Sequence, residues 1–306
     1  MAVRYRTVVF DSSRWEGFTF REDDIVISTS PKSGTTWMQM LCALLIFDAT
    51  TFDRPMSHLS PWLDMQTRSL ASVTAELEAQ THRRFIKTHT PLDGLPFDER
   101  VTYLCVGRDP RDVAVSLAHH RENLDREVLL ALRSDAVGLA DLAELGAGAA
   151  LTPPSPDPTV RFWLWAEGEG TSSLAGVLGH LRTFWERRDE ANIALFHYGD
   201  MSVDLPGQLR RLSDLLGIPM APGRIDELAA AATFEGMRHR AEELAPNADQ
   251  ALWHSTDAFF HRGSSGQWRT VLDDGGLERY DAMVEALVPT DLGAWAHDGW
   301  LGQGAG

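Results

Sequence analysis

A β-rich run, Asp24-Ile25-Val26-Ile27-Ser28, breaks at small residues and Pro31. It then enters Thr35 to Phe47, which holds no glycine or proline and is apolar on nearly every side. So short an apolar run bounded by turn residues reads as a strand, and a helix apolar all round is one that a domain must bury. Strand, tight loop and buried helix open an α/β domain. Arg84-Phe85-Ile86-Lys87, Val101 to Val106 and Asn192 to His197 are further strand candidates. One helix is expected to start near Arg111, with Asp109 as its N-cap and Pro110 at its first position. The amphipathic run Leu178 to Arg188 precedes the last strand. This alternation predicts a single α/β domain across residues 1–306, a central parallel β-sheet flanked by helices on both faces. In such a sheet the ligand crevice lies at the C-terminal strand ends, where Ser30, Lys87 and Arg108 fall.

Composition narrows the function classes. Two cysteines, Cys42 and Cys105, both in apolar runs, exclude a disulfide scaffold and a Cys-rich zinc site. Against 44 Asp and Glu stand 28 Lys and Arg, a formal charge of −16, which argues against a nucleic-acid partner or a broad acidic-membrane surface. A small anionic ligand is still compatible, because screening over ~8 Å lets a few local cations outweigh distant carboxylates. The first twenty residues mix Arg4, Arg6, Asp11, Arg14 and Glu16 with apolar residues. The apolar run Leu41 to Phe47 is far short of the ~20 residues a membrane helix needs, so no integral membrane contact and a cytoplasmic location are expected. From about residue 129 to 160 the sequence turns to Ala, Gly and Leu, then to Pro153, Pro154, Pro156 and Pro158. A helical insertion followed by an exposed loop is expected there, a place suited to substrate-specific contacts.

Chemistry is concentrated in four segments. Ser30-Pro31-Lys32-Ser33-Gly34-Thr35-Thr36-Trp37 joins a strand to a helix, where backbone N–H groups and the helix dipole converge on an anion. Ser33, Thr35 and Thr36 add hydroxyl donors and Lys32 a charge; an ordinary turn with a threonine cap is the plainer reading. The run is not the NTPase P-loop, in which Lys directly follows the second Gly. Nor does an obvious strand-ending Asp supply the metal ligand of phosphoryl transfer. Lys87-Thr88-His89 ends a strand, and period-2 alternation puts Lys87 and His89 on one face, ~6.6 Å apart. A cation beside an imidazole suits proton abstraction next to developing negative charge. The chain has 11 histidines, so a structural role for His89 stays open. Arg108 follows a strand with Ser116 eight residues on, and a guanidinium at a strand's C-terminal edge suits phosphate, though a pair with Asp109 or Asp112 would also explain it. Lastly, Phe259 to Trp268 is a basic loop containing His261, Arg262, Gly263 and Gly266 between aromatics, compatible with either anion contact or a plain surface loop.

In this order, the segments resemble the cytosolic-type sulfotransferases, which use 3′-phosphoadenosine-5′-phosphosulfate (PAPS). Pro31 to Trp37 matches the family's 5′-phosphosulfate loop, PKSGTTW, at every position, and Lys87-Thr88-His89 matches its KTH segment. Arg108 and Ser116 keep the family's Arg-to-Ser spacing for the 3′-phosphate. Tyr198-Gly199-Asp200-Met201 resembles its YEDM segment, and Ala232-Thr233-Phe234 resembles its T-S-F segment. His261 to Trp268 resembles RKGxxGDW, which closes over the 3′-phosphate.

The resemblance implies a P-loop-like sulfotransferase fold and in-line transfer of a sulfonyl group from PAPS to a hydroxyl or amine, without a metal. It implies His89 as base, with Lys32 and Lys87 stabilising charge. Lys32, Ser33, Gly34, Thr35, Thr36 and Trp37, then Arg108, Ser116, Tyr198, Phe234, His261, Arg262 and Gly263, would hold the nucleotide. His261 and Arg262 stand where the family has Arg and Lys, Gly199 replaces Glu, Gln267 replaces Asp, and Ala232 replaces a hydroxyl residue. The run after Trp268 departs from the family's short dimerisation motif. A small-molecule kinase with a variant P-loop and a catalytically silent nucleotide-binding module are the other readings. Trp15, Phe18, Phe20, Trp62 and Phe85 either line an apolar pocket for an aromatic or lipid-like acceptor or belong to the core.

Overall fold

The computed structural model describes residues 2–145, 155–246, 250–260 and 263–302. Four parallel strands form one sheet in the order β2-β1-β3-β4: β1 Ile25–Ser28, β2 Phe85–Thr88, β3 Thr102–Gly107 and β4 Ile193–His197. β1 lies between β2 and β3, with Ile25 opposite both Phe85 and Thr102. β3 pairs with β4 from Tyr103–Ile193 to Gly107–His197. Every residue of β1, β2 and β4 is buried, as expected of a parallel sheet covered on both faces. Alternation divides them between two core layers. Ile25, Ile27, Phe85, Leu104 and Phe196 face one layer, and Val26, Ile86, Tyr103 and Leu195 the other. At the opposite end from the crevice, the buried pair Arg84–Asp24 joins the entries of β1 and β2, Nε donating to Oδ1 at 2.8 Å.

The helix Thr35–Phe47 (α1) packs in the first layer, with its N-cap, Gly34, left-handed at φ 111°. Two short helical stretches follow, α2 Met56–Leu59 and α3 Leu70–Ala79. The helix Pro110–Asn123 (α4) starts as expected: Asp109 accepts from the Arg111 amide at 2.9 Å, and Pro110 sits in the first turn. The helix before β4 begins earlier than expected. It runs Leu174–Trp185, because Ser173 caps it by accepting from the Gly176 amide.

The insertion is partly different too. The helix Arg126–Val137 (α5) is capped by Asp125 and ends where Gly138 takes φ 83°. Its Arg133 is fully buried, bonded to the Val8 carbonyl at 3.0 Å and to Asp141, which fixes α5 against the N-terminal segment. Pro153 and Pro154 lie outside the described residues, while Pro158 opens a capped helix, Pro158–Ala166, rather than continuing a loop. Four of the five aromatics proposed for an acceptor pocket are core. Trp15, Phe20 and Phe85 are buried, Trp15 and Phe20 in one layer with Phe18 packed against them and Phe85 in the other, since the sheet needs apolar cover on both faces. Among the described residues, no helix is long and apolar enough to cross a membrane.

Candidate active site

The strand ends Ser28, Thr88, Gly107 and His197 leave the sheet on one side, and the loop from Ser30 to Gly34 turns there into α1. The turn needs two left-handed residues, Lys32 at φ 67° and Gly34 at φ 111°. A side chain at Gly34 would be strained by that backbone, and its Cβ would lie 3.2 Å from the Tyr198 ring and 3.4 Å from Val106. Ser30 Oγ, Ser33 Oγ and Trp37 Nε1 are buried around the turn without a hydrogen-bond partner, whereas Thr35 Oγ1 bonds Thr29 Oγ1. Orphaned donors at a helix N-terminus, where the dipole favours negative charge, form a cradle for an anion.

The cations converge on this cradle. Arg108 Nη1 donates to the Lys32 carbonyl at 3.0 Å and Nη2 to the Ser264 carbonyl at 3.4 Å. Its guanidinium lies 4.3 Å from the centre of the Tyr198 ring, and its Nε is buried without a partner. The ammonium of Lys32 sits 4.3 Å over Phe259, and that of Lys87 4.3 Å over Trp62. Burial lowers Lys32 to about 7, helped by the like charges of Arg108 and Lys87. Burial also lowers Lys87 to about 7, against the opposing pull of Asp64.

His89 packs edge-on against Trp62 at 4.6 Å, and its Nδ1 lies 2.7 Å from the Thr29 carbonyl. A carbonyl only accepts, so Nδ1 carries the proton and Nε2 presents a lone pair. Burial, then Lys87, pushes the imidazole well below its ordinary value, which keeps it neutral. Lys32 and Arg108 are thus in direct contact. Lys87 and His89 share Trp62, and the Thr29 carbonyl ties His89 to the loop.

The residues that the resemblance assigns to the nucleotide are placed unevenly. Tyr198 packs edge-on against Trp37 at 5.1 Å. Gly263, at φ 63°, passes so close to Phe234 that a Cβ would fall 2.3 Å from its ring. Ser116 lies half-buried on α4, two turns beyond Asp109. His261 and Arg262 lie outside the described residues.

Three features of the site escaped the sequence reading. Asp112 accepts from the Gly266 and Gln267 amides at 2.8 and 2.9 Å, and Asp109 from Trp268 Nε1 at 3.1 Å, lashing the loop before Trp268 to the start of α4. Asp64 is fully buried and accepts from the hydroxyls of Thr88 and Thr90, at 2.7 and 2.6 Å, on either side of His89. His120 packs tilted against Trp253 and edge-on against Phe259, the ring that carries Lys32; burial and then Lys32 push it well below its ordinary value. A cap-position Asp was the one available signal, for Asp109. Asp64 and His120 stand in no pattern. Among the described residues, no group of three or more His, Cys, Asp or Glu is arranged to hold a metal ion.

Comparison with known proteins identifies the family. The sulfotransferase domain family model matches residues 22–293. A glycolipid sulfotransferase of Mycobacterium tuberculosis is 43% identical over 318 residues, covering 98% of this chain and 95% of that protein. Rat sulfotransferase 1A1 is 24% identical over 276 residues, covering 87% of this chain and 85% of its own. Among solved structures, retinol dehydratase in complex with androsterone and the inactive cofactor PAP shares the fold with a TM-score of 0.70 at 21% identity, over 92% of this chain and 87% of that one. Mouse sulfotransferase SULT7A1 complexed with PAP follows at 0.68 and 20% identity, over 93% and 90%. With the family model covering most of its length and a relative matched almost end to end, this chain belongs to the sulfotransferase family.

Proposed function

We propose that this protein moves the sulfonyl group of PAPS onto a hydroxyl of a small-molecule acceptor, the glycolipid named for the mycobacterial relatives being the first class to test. The donor set fits such a ligand. Orphaned hydroxyls and the α1 N-terminus suit a phosphosulfate, and Arg108, with a free Nε and two further donors, suits the second phosphate.

His89 takes the acceptor's proton on Nε2 as its oxygen bonds sulfur. The bridging sulfur–oxygen bond breaks, and PAP leaves with that oxygen and its electron pair. Lys32, at the phosphosulfate loop, offsets charge growing on the bridging oxygen. Lys87, two residues from the base, offsets charge on the non-bridging sulfonyl oxygens. Trp37, Tyr198, Phe234 and Gly263 flank the adenine end, and Ser116 joins Arg108 at the 3′-phosphate. Arg262 and His261 would close over it, and the segment near residues 129–160 would border the acceptor mouth.

One observation carries this reading: the 2.7 Å bond from His89 Nδ1 to the Thr29 carbonyl. It fixes the base's tautomer and ties the base to the donor loop. His89→Asn is expected to cut turnover with radiolabelled PAPS by at least about 10²-fold, the range a positioned base supplies, while PAP affinity in calorimetry stays within about twofold. Loss of PAP binding would make His89 a structural residue instead.

A further inference from the structure

We propose that Asp64 is a positioning residue for sulfonyl transfer: its carboxylate fixes the end of β2 that leads into His89 and supplies the counter-charge to Lys87. This rests on the transfer reading above. β2 is an edge strand of the sheet, and the segment from Pro61 to Asp64 runs beside it, Trp62 pairing with Lys87. The Lys87 amide donates to the Pro61 carbonyl at 3.0 Å, and the Asp11 amide donates to the Asp64 carbonyl at 3.0 Å. Backbone bonds therefore hold this segment already, and the Asp64 carboxylate is not needed for that. Its Oδ2 accepts from Thr88 Oγ1 at 2.7 Å and from Thr90 Oγ1 at 2.6 Å, the residues before and after His89. Thr88 Oγ1 in turn accepts from the Thr90 amide at 2.9 Å, which closes a ring of bonds around the His89 backbone. A reacting group displaced by ~1 Å can lose ~10²-fold in rate, so this ring bears directly on the base.

Asp64 is fully buried, where a carboxylate persists only in surroundings that suit the anion. The two hydroxyls and the nearby indole N–H groups of Trp15 and Trp62 are all donors, and Arg14 adds a positive charge from the N-terminal segment. Trp62 links the three groups: its ring carries the Lys87 ammonium at 4.3 Å, His89 packs edge-on against it at 4.6 Å, and its N–H acts on Asp64. Among the described residues, Lys32, His89 and His120 also face Lys87, and none of them is an anion. Asp64 thus opposes the burial that lowers Lys87.

The test is Asp64→Asn in the full-length protein, which keeps the shape and removes the charge, assayed with PAPS and the best of octyl β-glucoside, 1-octanol and 4-nitrophenol as acceptor. The expected kcat falls about tenfold while PAP affinity in calorimetry stays within about twofold. The alkaline limb of kcat/KM should move down by about one pH unit, because Lys87 without its counter-charge loses its proton at lower pH. An unmoved limb, or a loss of PAP affinity as large as the loss of kcat, makes Asp64 a folding residue only and overturns the proposal. Should Asp64→Asn fail to fold, Thr90→Val decides, since it keeps the charge and removes one bond: kcat should fall about fivefold with PAP affinity kept, and an unchanged kcat overturns the proposal. If the wild-type protein binds PAP but none of the three acceptors gains sulfonate, the transfer reading falls and the role of Asp64 with it.

Discussion

The two halves of the cleft are built differently. On the side proposed to hold the donor, the chain supplies its groups in consecutive runs. The turn at Lys32 and Gly34, the α1 N-terminus, Arg108 at the end of β3 and the α4 cap form one contiguous anion cradle. On the other side, beyond Lys87, α2 and the segment after it are brought against α1, the end of β2 and Leu244, and the polar groups come from scattered positions. The first half depends on backbone geometry, which tolerates little change. The second depends on side chains, which can be exchanged without disturbing the turn. In the proposed reading, recognition of the donor and of the acceptor can therefore vary independently on one sheet.

Three measurements would break or sharpen that contrast. Arg108→Ala removes the cation that bonds Lys32 and Ser264 and covers Tyr198. At roughly 1.5–3 kcal/mol for each charge-assisted bond, PAP affinity should fall about 10²-fold in calorimetry, with the KM for the acceptor unchanged. Near-normal PAP affinity would refute a phosphate role, and a changed acceptor KM would show that the halves are not separable.

The second measurement is PAP affinity against pH. Lys32 and Lys87, each held down to about 7 in the free site, are charged below that pH and neutral above it. A bound polyanion raises both, so binding takes up protons above pH 7. Affinity should be highest below pH 7 and fall towards pH 9, by up to about tenfold per unit for each proton taken up. A flat profile would mean that these ammonium groups do not face the ligand.

The smallest effect is expected for Asp112→Asn, which keeps the volume but loses one of the two acceptors that hold the Gly266 and Gln267 amides. Loosening that loop should weaken PAP binding about fivefold and leave the acceptor KM alone, as measured by calorimetry and by steady-state kinetics. No change in PAP affinity would show that the loop's anchorage does not contribute to the donor side.

Much of the donor half was legible in the sequence because its logic is local. A strand, a loop with Lys32 and Gly34 and an apolar helix can be read from neighbours, as can Asp109-Pro110 at the start of α4. The start of the helix at Leu174 was missed because one hydroxyl, Ser173, outweighed the apolar periodicity used to place it. Asp64, Asp112 and His120 were not legible at all. Asp64 acts on Thr88 and Thr90, Asp112 on amides more than 150 positions away, and nothing beside them in the chain announces either partner. Phe85 and Trp15 could have been pocket or core, and only packing against the sheet assigned them to the core.

The order of residues alone thus determined the parallel sheet, the strand-to-helix turn at Lys32 and Gly34 and the placing of Lys87 beside His89, because dihedral preference, side-chain period and dipole alignment act over a few residues. Folding in three dimensions decided the tautomer of His89, the depressed ammonium groups and the lashing of the loop to α4. Each of these depends on which distant group excludes water from, or donates a bond to, a given atom.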